Sequence, residues 1–235
     1  MTSGHGSLLA LDATGEWCSV AWTDGTRWVE DARHAGQRHS EMLLHMIDAA
    51  LREAGVRPQA LTEIAFGAGP GSFTGLRIAC GIAQGLALGA GLPLRPVSSL
   101  LALARRSGAE AAIAAIDARM GEVYWAACRH DARDGWQALA GPRVDTPAAV
   151  ALQIAKMPSG TGWAGVGNAF SVYPELAAAL PPGSPIDAAA QVSARGVAEL
   201  ALSGHGAPVP AELAAPLYVR DRVALTTAER AAGRP

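Results

Sequence analysis

The sequence has few charged residues and almost no excess of either sign. Only 17% of its 235 residues are charged, and the formal net charge is -2 at pH 7. This balance argues against a strongly basic nucleic-acid platform, so any contact with RNA would be local or made through a partner. Half of the residues are hydrophobic, which excludes a disordered chain.

Cysteine is scarce, and its three copies, Cys18, Cys80 and Cys128, are isolated from one another. They form no C-x-x-C pair and no metal-binding spacing, which argues against a disulfide framework and a zinc site. Residues 1–7 contain neither a basic segment nor an apolar run, so no secretory signal is visible. We therefore expect reduced thiols in a cytoplasmic protein.

The longest apolar run covers residues 76–94, but it contains Arg77 and Gln84 and meets Pro93. A membrane-spanning helix needs about 20 apolar residues. The run therefore predicts a buried helix that leads into a strand, with no membrane partner.

Hydrophobic periodicity and turn residues predict an α/β protein. Strands are expected over 8–13, 17–22, 27–32, 63–67, 94–97, 111–117 and 122–128, and helices over 39–54, 73–90, 146–156 and 187–203. A further helix should start after a cap at Ser98 or Ser99.

The sequence also contains a short internal repeat, which we call the echo. The run LLALDA, which ends at Ala13, recurs 105 residues later as IAAIDA, and each copy continues through Gly-Glu into a second apolar strand. This repeat predicts two related domains, each beginning with a hairpin whose first strand ends in an aspartate, Asp12 or Asp117. Such a carboxylate could hold a metal or phosphate, or it could simply start a turn.

A glycine-rich loop, GAGPGSFTG over residues 67–75, follows a predicted strand and opens a helix. It contains no lysine, so it is not a P-loop, and its spacing puts Thr74 where the dinucleotide pattern needs glycine. Pro70 removes an N–H group that a phosphate would use. We interpret the loop as a helix cap made by Ser72 or Thr74 rather than as a nucleotide site.

Two helices show features of an interface. On the helix over 39–54 the apolar side chains spread over roughly 220°, whereas one core needs only about 100°. On the helix over 73–90, three glycines recur every fourth residue, although each costs about 1 kcal/mol relative to alanine, which indicates a close backbone approach. The predicted interface residues are Met42, Leu43, Met46, Ile47, Ala50, Gly81, Gly85 and Gly89.

Arg77 is expected to contact an anion. It lies in the first turn of its helix, where the helix dipole disfavours a cation. A carboxylate or a bound ligand would compensate.

These segments resemble the TsaB (YeaZ-like) family of the bacterial tRNA threonylcarbamoyladenosine machinery. The resemblance rests on residues 11–14, 69–78, 81–87, 116–124 and 216–220. It implies a duplicated actin/hexokinase/Hsp70-like (ASKHA, RNase H-like) α/β fold, which we divide into an N-terminal domain at 1–108, a smaller C-terminal domain at 109–205 and a tail at 206–235.

The resemblance further implies a non-catalytic paralogue of TsaD that dimerises with a TsaD-like enzyme through helices like 39–54 and 73–90. A TsaE-like ATPase would join the complex, and ATP and metal would bind to these partners. The chain would contact tRNA only indirectly, and it would form homodimers when it is alone. TsaD-like proteins carry an HxxxH metal motif on the first helix, whereas this chain has His39 followed by Leu43. We therefore expect no catalytic, cofactor-binding or metal-binding residue. The alternative is a stand-alone ATP-dependent phosphotransferase or glycopeptidase-like enzyme.

Overall fold

The computed structural model describes residues 6–36, 38–133, 135–158 and 162–220. Its strands are β1 (Leu8–Asp12), β2 (Trp17–Thr23), β3 (Trp28–His34), β4 (Glu63–Gly69), β5 (Leu94–Ser98), β6 (Ala111–Arg119), β7 (Glu122–Asp131), β8 (Gly135–Asp145), β9 (Trp163–Val166) and β10 (Ile186–Asp187). Its α-helices are α1 (His39–Ala54), α2 (Phe73–Ala90), α3 (Ser99–Arg105), α4 (Pro147–Ile154), α5 (Ala169–Val172), α6 (Pro174–Ala179) and α7 (Ala194–Leu202).

The ten strands form two sheets with the same topology. The first sheet has the order β3-β2-β1-β4-β5, and the second has β8-β7-β6-β9-β10, which repeats it strand for strand. In each sheet the first strand pairs antiparallel with the second and parallel with the fourth. Asp12 and Asp117 lie at equivalent places, near the ends of β1 and β6. The echo in the sequence is therefore a structural duplication, and the predicted fold class is confirmed.

Three cores hold the sheets and helices together, because alternate residues of a strand point to opposite faces. On β1, Leu9 and Leu11 enter the first core with α1 and α2, whereas Leu8 and Ala10 enter the second core with α3 and α7. The third core lies between the second sheet and helices α4, α5 and α6.

Helices α3 and α7 each pack on the sheet of the other half. Helix α3 follows the first sheet in the chain and contacts β4 and β5, but it packs mainly against β6, β7 and β8. Helix α7 follows the second sheet and packs against β1, β2, β4 and β5. The amide of Ala194, which begins α7, donates a hydrogen bond of 2.8 Å to Ser19 Oγ on β2. The division at residues 108 and 205 stays a prediction, and the packing shows that α7 covers the first sheet. The last part of the predicted tail, residues 221–235, lies outside the described residues.

Most predicted elements are present, and α1 and α2 have the predicted bounds. The predicted helix over 187–203 is wrong in its first part, because β10 ends at Asp187 and α7 begins only at Ala194. Strands β8, β9 and β10 were not predicted: β8 contains Gly141 and Pro142, which weaken a strand pattern, β9 has only four residues and β10 only two.

Helix α2 is long and apolar enough to cross a membrane by length and composition alone. Its side chains at Leu76, Ala79, Cys80, Ala83 and Ala87 are buried inside the protein. One face of α2 therefore has the apolar character of a core helix.

Candidate functional site

A cleft of about 510 Å³ lies between the two halves of the protein. It is bordered by the turn after β1, the glycine-rich loop, the β6–β7 hairpin and the last described residues. Among the residues that line it are Thr14, Glu16, His39, Gly71, Ser72, Asp117, Arg119, Asn168, Gln191, Tyr218 and Arg220.

Asp12, at the end of β1, is enclosed by its own half of the protein. Its carboxylate accepts hydrogen bonds from the Thr14 amide at 3.1 Å and from the Thr14 hydroxyl. A Cβ atom at Gly67 would lie 1.9 Å from Asp12 Oδ2, so the backbone of β4 lies directly against the carboxylate. Burial raises the pKa of Asp12 to about 6, although the Thr14 hydrogen bonds oppose this shift. These contacts match the bonding of a turn-forming aspartate.

Asp117, the equivalent residue of the second half, borders the cleft, and its carboxylate also has hydrogen-bond partners within the chain. Its Oδ1 atom accepts hydrogen bonds from the Arg119 amide at 2.9 Å and from the Tyr173 hydroxyl at 3.0 Å. The Arg119 guanidinium lies 3.4 Å from Oδ2. The carboxylate thus fixes the hairpin between β6 and β7.

The glycine-rich loop packs against the first hairpin. A Cβ atom at Gly75 would lie 1.8 Å from the Ala13 carbonyl oxygen, and one at Gly71 would lie 2.5 Å from the Thr14 carbonyl oxygen. The Ser72 amide donates to that Thr14 oxygen at 2.7 Å, and the Gly75 amide donates to Ser72 Oγ at 3.3 Å. Ser72 is therefore the helix cap, and these two amides, which a phosphate could use, already have partners within the chain.

His39 begins α1 and lines the cleft, where its Nε2 atom lies 2.9 Å from the Gly15 carbonyl oxygen. A carbonyl oxygen only accepts, so Nε2 carries the proton in this contact and cannot also bind a metal. No group of three His, Cys, Asp or Glu side chains among the described residues could hold a metal ion.

The three cysteines are free and buried. Burial raises the pKa of Cys128 to about 12 and that of Cys18 to about 11, with a contribution from Asp12 to the latter. Burial also raises the pKa of Cys80, so all three thiols are protonated near neutral pH, and a protonated thiol is a poor nucleophile.

Arg77 has an aromatic environment in place of the expected anion. Its Nε atom donates to the Tyr218 hydroxyl at 3.2 Å, and its guanidinium lies 3.9 Å from the centre of the Phe73 ring. No carboxylate in the described part of the chain forms an ion pair with it. The cation–π contact and the phenol hydroxyl hold the guanidinium in the unfavourable first turn, which corrects the expectation of an anion within the chain.

The predicted interface residues of α1 divide between core and surface. Leu43, Met46, Ile47 and Ala50 are buried in the first core, and Met42 packs partly against it. This corrects their assignment to a partner surface: most of the wide apolar arc faces the core of the chain itself. The outer face of α1 carries Leu44, which is 52% exposed. That the outer face of the helix pair binds a partner stays a prediction.

The three glycines of α2 lie on the surface. A Cβ atom at Gly81, Gly85 or Gly89 would meet nothing within 4 Å, so no part of the described chain requires glycine there. The nearby Leu88 is 61% exposed. Of the two explanations open at the sequence level, a contact inside the chain is therefore excluded for the described residues.

Sequence reasoning missed the role of Tyr218 and Arg220. Both line the cleft, and Arg220 contacts the β6–β7 hairpin of the second half. The segment has no periodicity, and although residues 216–220 contribute to the family resemblance, that resemblance assigned no role to the Tyr-Val-Arg cluster.

The family comparisons agree with this architecture. Residues 33–226 match the family model of TsaD, described as tRNA N6-adenosine threonylcarbamoyltransferase. The chain is 38% identical over 226 residues to the tRNA threonylcarbamoyladenosine biosynthesis protein TsaB of Escherichia coli. This alignment covers 92% of this chain and 96% of that relative. It is 39% identical over 183 residues to TsaB of Haemophilus influenzae, covering 72% and 76% of the two chains.

Solved structures show the same likeness. YeaZ from Pseudomonas aeruginosa superposes with a TM-score of 0.77 at 35% identity and covers 91% of this chain and 99% of its own. A second structure, described as an uncharacterized protein with similarity to peptidase YeaZ, gives a TM-score of 0.80 at 35% identity, with 92% and 100% covered.

Proposed function

Because the chain belongs to the TsaB (YeaZ-like) family of tRNA threonylcarbamoyladenosine biosynthesis proteins, we propose that it is the non-catalytic subunit that binds and supports a TsaD-like threonylcarbamoyltransferase. Its role in this tRNA modification follows from the family. The proposal adds the scaffold role and the surface that performs it.

The observation that carries the proposal is the exposed glycine stripe on α2. Glycine within a helix costs about 1 kcal/mol relative to alanine. The described chain gains no close contact in return at Gly81, Gly85 or Gly89. A helix of a partner protein that packs directly on this backbone would supply the missing stabilisation, and exposed Leu44 and Leu88 would be buried beside it.

The cleft supports a non-catalytic role. The carboxylates of Asp12 and Asp117 accept hydrogen bonds from Thr14, Arg119 and Tyr173. The Ser72 and Gly75 amides of the glycine-rich loop are bonded within the chain. Phosphoryl transfer depends on donors and carboxylates that position the phosphates and the metal ions, and in this chain these groups already bond one another.

If this chain is the non-catalytic subunit, the catalytic sites must lie on its partners. The TsaD-like partner and a TsaE-like ATPase would supply the ATP and metal sites, and tRNA would be contacted only through the assembly, in the cytoplasm. In the absence of the TsaD-like partner, the same helix face would pair with a second copy of this chain.

Reconstitution tests the proposal. The purified chain alone should neither bind ATP at micromolar concentration nor retain metal in stoichiometric amount. Adding it to the TsaD-like and TsaE-like proteins, in the presence of ATP and an activated threonylcarbamoyl donor, should start the modification of tRNA. Tight ATP binding, or ATP-dependent transfer or glycopeptide cleavage by the chain alone, would instead favour the alternative of a stand-alone enzyme.

A further inference from the structure

The segment 206–220 runs from the edge of the first sheet to the hairpin of the second. It begins beside β5, where Leu94 and Val209 exchange backbone hydrogen bonds of 2.9 and 2.7 Å. It then follows α2, whose Gln84 side chain donates to the carbonyl oxygens of Ala211 at 3.1 Å and Ala214 at 3.0 Å. Ala211 and Ala214 are buried in the first core. Up to this point the segment is part of the first half.

The segment next crosses the glycine-rich loop. The Leu217 amide donates to the Ala68 carbonyl oxygen at 2.7 Å. A Cβ atom at Gly69 would lie 3.0 Å from the Leu217 carbonyl oxygen, so the passage needs the small residue there. Tyr218 then bonds Arg77 on α2, which is the last contact with the first half.

Two residues later, the hydrogen bonds of Arg220 to described residues go to the second half. Its guanidinium donates to the Ala118 carbonyl oxygen at 3.2 Å and to the Glu122 carboxylate, and it lies 5.7 Å from the Tyr124 ring. The Arg220 side chain is 15% exposed, so this ion pair is partly protected from solvent. Charge-assisted hydrogen bonds of this kind are stronger than neutral ones.

We propose that residues 217–220 are a latch that holds the two halves of the cleft at a fixed separation, and that Arg220 is the residue that attaches the latch to the β6–β7 hairpin. The second core already joins the halves through α3 and α7. The latch joins them again at the cleft itself, since Leu217, Tyr218, Val219 and Arg220 are part of its lining. Releasing Arg220 removes its charge-assisted bonds and leaves the β6–β7 hairpin joined to the turn after β1 by the exposed ion pair of Arg119 with Glu16, at 3.7 Å, which is too weak to keep the cleft from widening. This inference does not depend on the proposed partner.

The test uses the full chain with the substitution Arg220→Met, which keeps the apolar stem and removes the donors. Because all three native cysteines are buried, spin labels can be placed at Gln59→Cys in the first half and Leu152→Cys in the second. Distances are measured in an excess of unlabelled protein so that only pairs within one chain contribute. The latch predicts a longer or broader distance distribution, and an increase of about tenfold or more in hydrogen exchange at the Leu217 amide.

Three companion variants separate the latch from general damage. Glu122→Gln removes the charge of the same ion pair but leaves the hydrogen bond to the Ala118 carbonyl oxygen, so it should widen the distribution less than Arg220→Met does. The exchanged pair Arg220→Glu with Glu122→Arg should restore part of the narrow distribution, because the ion pair returns but a carboxylate at position 220 cannot donate to the Ala118 carbonyl oxygen. Arg33→Met removes an exposed ion pair within β3 and should change nothing. An Arg220→Met protein that is folded, with unchanged distances and unchanged exchange at Leu217, would overturn the proposal.

Discussion

Asp12 Oδ2 lies so close to the Gly67 backbone that a single added methyl group would stand 1.9 Å from it. The relationship joins the aspartate of β1 to the start of the glycine-rich loop on β4. It also explains why Gly67 is a glycine without any phosphate ligand.

Gly67→Ala should therefore destabilise the fold by several kcal/mol, since neither a buried carboxylate nor a central strand can move aside without cost. Chemical denaturation measures the effect. Combining Gly67→Ala with Asp12→Ala should recover part of the loss, because the clashing atom is gone. An unaltered unfolding midpoint in the single variant would show that the two residues are not in contact.

The pH dependence of stability should carry the signature of Asp12. Its folded pKa is raised from 3.8 to about 6, so between these values the folded chain keeps a proton that the unfolded chain has lost. This contribution therefore favours the fold at low pH and is lost as the pH rises from 4 to 6. Asparagine does not titrate, so the Asp12→Asn variant does not lose stability in this way. The free energy of unfolding of the variant minus that of the parent should therefore rise by up to about 3 kcal/mol between pH 4 and pH 6.

Asp24→Asn is the control for that measurement. Hydrogen bonds from the Arg27 and Thr26 amides lower the pKa of Asp24 to about 2, so it does not titrate between pH 4 and 6. Its stability difference from the parent should stay flat in this window. A flat difference for Asp12→Asn as well would contradict a buried carboxyl with a raised pKa.

Asp117→Asn should leave tRNA modification by the reconstituted complex near the parent level. The asparagine Oδ1 can accept the same hydrogen bonds from the Arg119 amide and the Tyr173 hydroxyl. Only the ion pair with exposed Arg119 is lost, which is a small contribution. A loss of more than about 100-fold in a folded protein, equal to about 2.7 kcal/mol of barrier, would show that the carboxylate acts in the chemistry.

The two kinds of glycine on this chain should respond oppositely to alanine. Gly85→Ala should stabilise the isolated chain by up to about 1 kcal/mol, because its Cβ meets open space and alanine favours helix. Gly75→Ala should destabilise it strongly, because its Cβ would lie 1.8 Å from the Ala13 carbonyl oxygen. Thermal unfolding of both variants checks the pair. Destabilisation by Gly85→Ala would mean that the stripe is packed within the chain after all.

The fold could be predicted from the sequence where periodicity and repetition are strong. The echo around Asp12 and Asp117 indicated the duplication, and α1 and α2 have clear apolar faces. Sequence periodicity shows that Met46 belongs to an apolar arc, but it does not show whether the chain's own core or a partner protein covers that arc. In this structure Met46 is buried in the chain's own first core. Likewise, nothing in a linear pattern pairs Arg220 with Glu122 or exchanges α3 and α7 between the sheets, because those contacts depend on tertiary packing.

The burial of Met46 also changes which substitution tests the partner surface. A glutamate at Met46 would place a charge in the first core and unfold the chain whatever the surface binds. Gly85→Leu instead adds bulk outside the fold, where nothing lies within 4 Å. Ala178→Leu, on the exposed face of α6 in the second half, is the matched control.

Calorimetry with the TsaD-like subunit, on variants shown to be folded, tests directly whether the glycine face of α2 binds the partner. We expect Gly85→Leu to weaken binding by about 100-fold or more, since a side chain there keeps the two backbones apart, while Ala178→Leu binds like the parent. Undiminished affinity of a folded Gly85→Leu protein would show that the partner surface lies elsewhere on the molecule.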